Sequence, residues 1–156
     1  MAAGTPALRL LEREGVAHVV HAYEPGPGAY GAAAAAALGV EPDRLLKTLL
    51  ADLDGRLVCA VVPASGSLDL KALATALGGK RAVMAEPAVA ERSSGYVVGG
   101  ISPLGQRTAL ATAVDETAQL HDTVYVSAGR RGLSLELAPA DLLRLTAAVV
   151  ADLARP

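Results

Sequence analysis

Lys47 stands in Leu45-Leu46-Lys47-Thr48-Leu49-Leu50, a cation inside an apolar run. If the run is a strand, alternation puts Lys47 on one face with Leu45, Leu49 and Ala51, and Leu46, Thr48 and Leu50 on the other. Both faces are then apolar, and a lysine is rarely buried without a partner. A cavity that receives an anionic or carbonyl-bearing ligand would account for it. So would a side chain that runs along apolar surface and leaves its ammonium group in water. A second stretch, Gly95-Tyr-Val-Val-Gly-Gly-Ile-Ser-Pro-Leu-Gly-Gln106, carries apolar residues into a tight loop with few side chains. Its glycines tolerate positive φ and let the backbone approach a ligand closely, while Pro103 fixes φ and removes a donor. Successive N–H groups in such a loop can hold a phosphate or a carbonyl oxygen. The same residues also suit a glycine-rich turn that holds nothing.

Other chemistry is disfavoured. His18, His21 and His121 have no partners at metal-ligand spacing, and with a single cysteine a zinc site is not expected. Neither a metal nor a cofactor is called for. Cys59, in Val58-Cys59-Ala60-Val61-Val62, reads as a small buried apolar residue rather than a nucleophile, and a lone cysteine suits a reducing cytosol. No Gly-x-Ser-x-Gly elbow exists for a hydrolase triad. No apolar run is long enough to span a bilayer, and the N-terminus lacks a charged-then-apolar signal pattern, so a cytoplasmic protein without a membrane role is expected. The formal net charge of −2 argues against bulk attraction to nucleic acid. A local patch stays open: Gly129-Arg130-Arg131-Gly132 is either a solubilising turn or a tip that meets phosphates. Lys80-Arg81, Arg92 and Arg107 would join it only if the fold brings them to one side.

The elements that must position these residues are legible as an alternation. The chain of 156 residues predicts a single domain over 1–156. Thr5-Pro6 starts a helix that Gly15 stops. Val16 to Tyr23 reads as a strand, followed by a Pro-Gly-Pro-Gly loop from Pro25 to Gly28. The alanine run from Ala32 to Ala37 reads as a helix ended by Gly39. Leu45–Leu53 and Leu57–Val62 read as strands joined through Asp54-Gly55, a hairpin signal. Ser67 is expected to cap a helix through Leu77, and Pro87–Arg92 to form another. Strands are expected at Thr108–Val114, Thr123–Val126 and Leu133–Leu137. A final helix from Pro139 should carry Leu142, Leu143, Leu145 and Val149 on its apolar side. The sum is α+β: a mixed, strongly curved β-sheet surrounded by short helices.

A resemblance adds to this reading. It rests on Tyr23-Glu24 after the first strand, Leu46-Lys47-Thr48-Leu49, and Pro63-Ala-Ser-Gly66 followed by Leu68-Asp69-Leu70-Lys71. It continues through Arg92-Ser-Ser-Gly-Tyr96, Gly99-Gly-Ile-Ser-Pro-Leu-Gly105, and Tyr125-Val-Ser127 through Arg131-Gly132-Leu133. In this order, from about Thr5 to Leu153, the motifs resemble the YbaK/EbsC family. The likeness is to its Cys-tRNA(Pro) deacylase branch, kin to the editing domain of bacterial prolyl-tRNA synthetase. The resemblance implies a mixed sheet curved into a partly closed barrel. It also implies a trans-editing hydrolase acting on the 3′ end of aminoacyl-tRNA, in transient contact with prolyl-tRNA synthetase and with no role on DNA. The family's essential lysine falls on Lys47. Its substrate-holding loop falls on Gly99, Gly100, Ile101, Ser102 and Pro103, and its pocket positions fall on Tyr23, Tyr30, Thr48 and Ser127. Two departures stand out. Tyr30 replaces phenylalanine, and Ser134 replaces the acid that relatives can carry in Arg-Gly-Leu-Asp-Ile-Glu-Leu.

In the Cys-specific branch the substrate's own thiol is held to attack its carbonyl, giving a cyclic thioester and free tRNA. Such an enzyme needs to orient and to stabilise developing charge, and an intramolecular attack gains about 7 kcal/mol or more in good geometry. The alternatives are the same scaffold editing another product, such as Ala-tRNA(Pro), by water attack, or a module that binds tRNA or adenosine without turnover.

Overall fold

The computed structural model describes residues 4–26 and 30–156. Pro27 and Gly28 of the expected Pro-Gly-Pro-Gly loop lie outside the described residues.

Helix α1 (Pro6–Glu14) forms as its caps dictate. The Thr5 hydroxyl accepts the Leu8 N–H at 3.2 Å, Pro6 holds the first turn, and Gly15 closes the helix at φ 66°. The same hydroxyl donates to the Ala128 carbonyl, tying α1 to a distant strand. Strand β1 (Val19–Ala22) is shorter than expected, and α2 (Tyr30–Leu38) includes the alanine run. Strands β2 (Leu46–Leu53) and β3 (Arg56–Pro63) make the predicted hairpin. Asp54 and Gly55 both sit at positive φ, as a two-residue primed turn demands.

The next helix does not start at Ser67. Ser67–Leu68 is a short strand, β4, and α3 (Leu70–Ala76) is capped by Asp69, whose carboxylate accepts the Ala72 N–H at 3.0 Å. An anion at that end also complements the helix dipole. Then follow β5 (Ala82–Met84), α4 (Pro87–Ser94), a long irregular loop, and β6 (Thr112–Asp115). Residues 108–111, expected in a strand, belong to that loop. A 3-10 turn (Glu116–Leu120) leads to β7 (Val124–Arg130), β8 (Leu133–Leu137) and α5 (Pro139–Thr146). Ala147 turns left-handed and ends α5, so Val149 is not on its apolar side. It lies in β9 (Val149–Ala151), 44% exposed, ahead of β10 (Ala154–Arg155).

The described strands form three open sheets rather than the one strongly curved sheet read from the residues or the partly closed barrel implied by the resemblance. The largest is mixed and runs β5-β2-β3-β6-β9, with β3, β6 and β9 parallel. The second runs β1-β8-β7, antiparallel throughout, and the third pairs β4 with β10. The first two meet at one parallel bridge, Leu45 with Tyr125, and do not continue into a shared ladder. A bulge between Ser127 and Arg130 also breaks the regular pairing of β7. Strand β2 is covered on both faces: Leu46 and Leu50 join one buried cluster, Ala51 and Leu53 another. No helix among the described residues is long and apolar enough to cross a membrane.

Asp115 locks the C-terminal strands to this frame. It is 1% exposed, and its carboxylate accepts the N–H groups of Leu153 at 2.8 Å and Ala154 at 3.0 Å, with Thr117 on the other oxygen. Burial would raise its pKa, but these donors outweigh it and hold the group below the usual carboxylate range. A group depressed on folding adds stability above its unfolded pKa, and that stability is lost as pH falls through the folded value. Asp115→Asn should therefore cost about 2 kcal/mol at neutral pH. Urea unfolding should also show a shallower loss of stability below about pH 5 in the variant than in the wild type.

Candidate active site

A cavity of about 400 Å³ opens where the first half of β2 meets the loop after α4 and the β7–β8 pair. That volume suits a small-molecule site. Lys47 and Thr48 line it from β2, Val98, Gly99 and Ile101 from the loop, Ser127 from β7, Ser134 from β8, and Tyr23 from the segment after β1. Alanines, leucines, Met84 and Pro87 supply most of the remaining wall. Among the described residues, Lys47 is the sole charged side chain on the wall, and no carboxylate pairs with it. Thr48 adds a second unfulfilled group. Its hydroxyl oxygen is buried with no hydrogen-bond partner among the described residues, an arrangement that costs about 1–3 kcal/mol unless a ligand completes it.

The loop is built around its own internal contacts. Gly95 ends α4 at φ 81°, and the Tyr96 hydroxyl donates to the Leu104 carbonyl at 2.7 Å. Burial pushes that phenol up to about 12, so it remains a neutral staple. The Glu91 carboxylate accepts the Val98 N–H at 2.9 Å, and the Gly100 N–H donates to the Val97 carbonyl at 2.9 Å. The amides of Gly99 and Ile101 have no partner among the described residues, and both residues line the cavity. The cradle expected from the glycine run is thus reduced to these two donors. Gly99 also needs its glycine, at φ 92°.

Gly100, Ser102 and Pro103 are not on the wall. A Cβ on Gly100 would lie 2.7 Å from the Arg130 Cα and 2.8 Å from the Arg131 nitrogen, so this glycine lets two backbones touch. Ser102 is fully buried and its hydroxyl oxygen accepts the Leu104 N–H at 3.2 Å; Pro103 is buried beside it. These three shape the loop from behind. Tyr30 begins α2, and its side chain lies outside the described residues.

Ser127 and Ser134 face each other across the β7–β8 ladder, and both reach the cavity. Ser134 donates to the Val126 carbonyl at 3.0 Å. Ser134, where the resemblance allows an acid, therefore lies on the wall and is uncharged. Sequence reasoning marked Ser134 as a departure without counting it in the site, and it gave no role to Glu91 or Tyr96. Tyr96 is one of four tyrosines in a sequence without Phe or Trp, but its acceptor lies across a loop with no regular spacing. Cys59 is buried in β3, and burial pushes its thiol up to about 12, which keeps it protonated and unreactive. His21 is engaged elsewhere, 3.0 Å from Glu136, which also takes Arg44 at 3.1 Å.

The chain is similar to known proteins along most of its length. The profile of the aminoacyl-tRNA editing domain matches residues 26–145. The chain is 37% identical over 145 residues to EbsC of Enterococcus faecalis, a candidate Cys-tRNA(Pro)/Cys-tRNA(Cys) deacylase, covering 91% of this chain and 88% of EbsC. It is also 37% identical over 68 residues to the proline–tRNA ligase of Moorella thermoacetica, 44% of this chain and 12% of the ligase. Among solved structures, a candidate trans-editing enzyme for prolyl-tRNA synthetase superimposes with a TM-score of 0.84 at 26% identity, over 99% of this chain and 100% of the other.

Proposed function

The chain belongs to the aminoacyl-tRNA editing domain family, and from that premise we propose that it clears mischarged tRNA in trans, with Cys-tRNA(Pro) as substrate. One observation carries the reading: a mainly apolar cavity whose described wall holds one cation and no carboxylate, imidazole or thiol. Such a wall has no carboxylate or imidazole to act as general base, and without one the hydroxyls of Tyr23, Thr48, Ser127 and Ser134 are weak nucleophiles. It suits a substrate that brings its own nucleophile.

In this reading the ester carbonyl lies against the free amides of Gly99 and Ile101, which stabilise the oxyanion as it develops. Lys47 holds the terminal sugar or phosphate, and the Thr48 hydroxyl gains the partner it lacks. The cysteinyl sulfur forms a bond to its own carbonyl carbon, the ester C–O bond breaks, and the thiol proton ends on the ribose oxygen of the departing tRNA. Water then opens the cyclic thioester to free cysteine. Tyr23 and Ser127 contribute to the pocket, and the whole chain acts as one editing domain in the cytoplasm. Contact with prolyl-tRNA synthetase is transient.

Ser134 favours a second reading. With no acid at that position, and alanines along the wall, the same site suits alanine on tRNA(Pro), attacked by water. Deacylation of Cys-tRNA(Pro), Ala-tRNA(Pro) and Cys-tRNA(Cys) at equal enzyme concentration decides between them. Fast loss of the cysteinyl esters with slow loss of alanyl ester is expected. A preference for the alanyl ester would transfer the assignment to the second reading, and no turnover of any would leave a binding module.

A further inference from the structure

Arginines surround the site loop, and the fold, unlike the sequence, decides which of them belong together. Arg131 donates twice to the Val98 carbonyl, at 2.7 and 3.0 Å, which fixes its guanidinium beside Gly99. It also lines a small notch with Tyr23, Pro25 and Gly26, and the notch shares Tyr23 and Gly99 with the main cavity. Arg130 is its neighbour on the turn that packs against Gly100. Arg107 lies alongside Gly95 at the start of the loop, and its guanidinium reaches the Arg92 carbonyl at 3.5 Å. All four arginines are exposed.

Three of the four, Arg92, Arg107 and Arg130, lack the carboxylate partners that other arginines have among the described residues. Arg44, Arg144 and Arg155 each pair with a carboxylate. Glu91, beside Arg92, turns its carboxylate to the Val98 N–H. Lys80 and Arg81 are excluded from the group: their backbone N–H groups bind Asp54 at the hairpin tip, the far end of β2. In a chain of net charge −2, these cations gather around the loop that forms one wall of the cavity.

We propose that Arg92, Arg107, Arg130 and Arg131 form a rail for the phosphodiester backbone of an RNA strand whose 3′-terminal nucleotide enters the cavity. The choice of RNA rests on the editing reading; the choice of phosphate rests on the guanidinium forks, whose planar donors match phosphate oxygens. The strand leaves the cavity past the notch at Tyr23 and Arg131 and runs along the loop. Uncharged contacts in the cavity then recognise the ester, while the rail supplies affinity that depends on salt.

The test uses an RNA hairpin that carries no aminoacyl group and ends in a single-stranded CCA, with binding followed by fluorescence anisotropy across a salt series. The double variant Arg107→Gln/Arg130→Gln should bind about tenfold more weakly at low salt. Its log–log salt slope should be shallower by about 1.4, since each single-strand phosphate contact contributes about 0.7. Arg107→Lys/Arg130→Lys should restore most of the slope. Equal affinity and slope for the wild type and the glutamine variant would overturn the rail, and so would failure of the lysine variant to restore them. A parallel arm separates this from the editing reading. If both hold, the glutamine variant should lose at least about tenfold more kcat/KM on aminoacyl-tRNA than on an aminoacyl-adenosine ester, which is too short to reach the rail. Salt-dependent RNA binding without turnover of either ester would keep the rail and reject the deacylase. Weakened capture of an acidic protein with unchanged RNA binding would assign the surface to a protein partner and overturn the proposal.

Discussion

Replacing Lys47 with alanine is expected to reduce single-turnover deacylation by about 100-fold or more, the scale seen when one preorganised charge-stabilising donor is removed. Stability should change little. Lys47 has no ion pair among the described residues to lose, and the strand that carries it is held by the β2–β3 ladder and by clusters on both faces. Lys47→Met, which keeps the apolar stem, should be as inactive as Lys47→Ala. Lys47→Arg should recover only part of the rate, because a planar fork does not place its charge where an ammonium does. Turnover like the wild type in either uncharged variant would remove Lys47 from the chemistry. A large drop in melting temperature would instead make it a structural residue.

The second large effect concerns the substrate. Cys-tRNA(Pro) should be cleared much faster than Ser-tRNA(Pro), although the two esters differ by one atom. A thiol is partly ionised near neutral pH and strongly nucleophilic, whereas a hydroxyl needs a general base. The described wall of the cavity offers none. General-base assistance is commonly about 100-fold or more, so the serine ester should lag by at least that factor. The cysteine rate should also rise with pH toward the thiol's ordinary value of about 8.5. Single-turnover rates for the two esters across a pH series are the measurement. Similar rates and profiles would mean that bound water attacks both, and the substrate-thiol mechanism would be abandoned even if the deacylase survived.

Much of the local structure was legible because its signals are local. Thr5-Pro6 and Gly15 bound α1 by satisfying its own end groups, and Asp54-Gly55 could serve a tight hairpin with both residues at positive φ. The cap of α3 was misread for a related reason. Ser67 and Asp69 are both good caps, and the choice is made by a remote strand: β10 pairs with Ser67 and leaves Asp69 to start the helix. The parallel pairs β3–β6 and β6–β9 carry no local signal at all, so β9 was absorbed into the preceding helix and the strands were read as one strongly curved sheet. In the site, Lys47 was conspicuous because a cation in an apolar strand is locally inconsistent. Gly100 misled because a glycine needed to admit a ligand and one needed to admit a neighbouring turn look alike in sequence.

The burial of Cys59 bears on what can happen to the intermediate. A cyclic thioester is an acylating agent, and any thiolate within reach would compete with water for it. This chain has one cysteine, inside the sheet and protonated. Under the proposed mechanism the released cysteinyl group meets no protein sulfur to which it could be transferred. Transfer of the cysteinyl group to a sulfur of the catalyst itself is thereby excluded. Alkylating reagents added to a reaction would act on the sulfur of the substrate and leave the protein competent for another cycle.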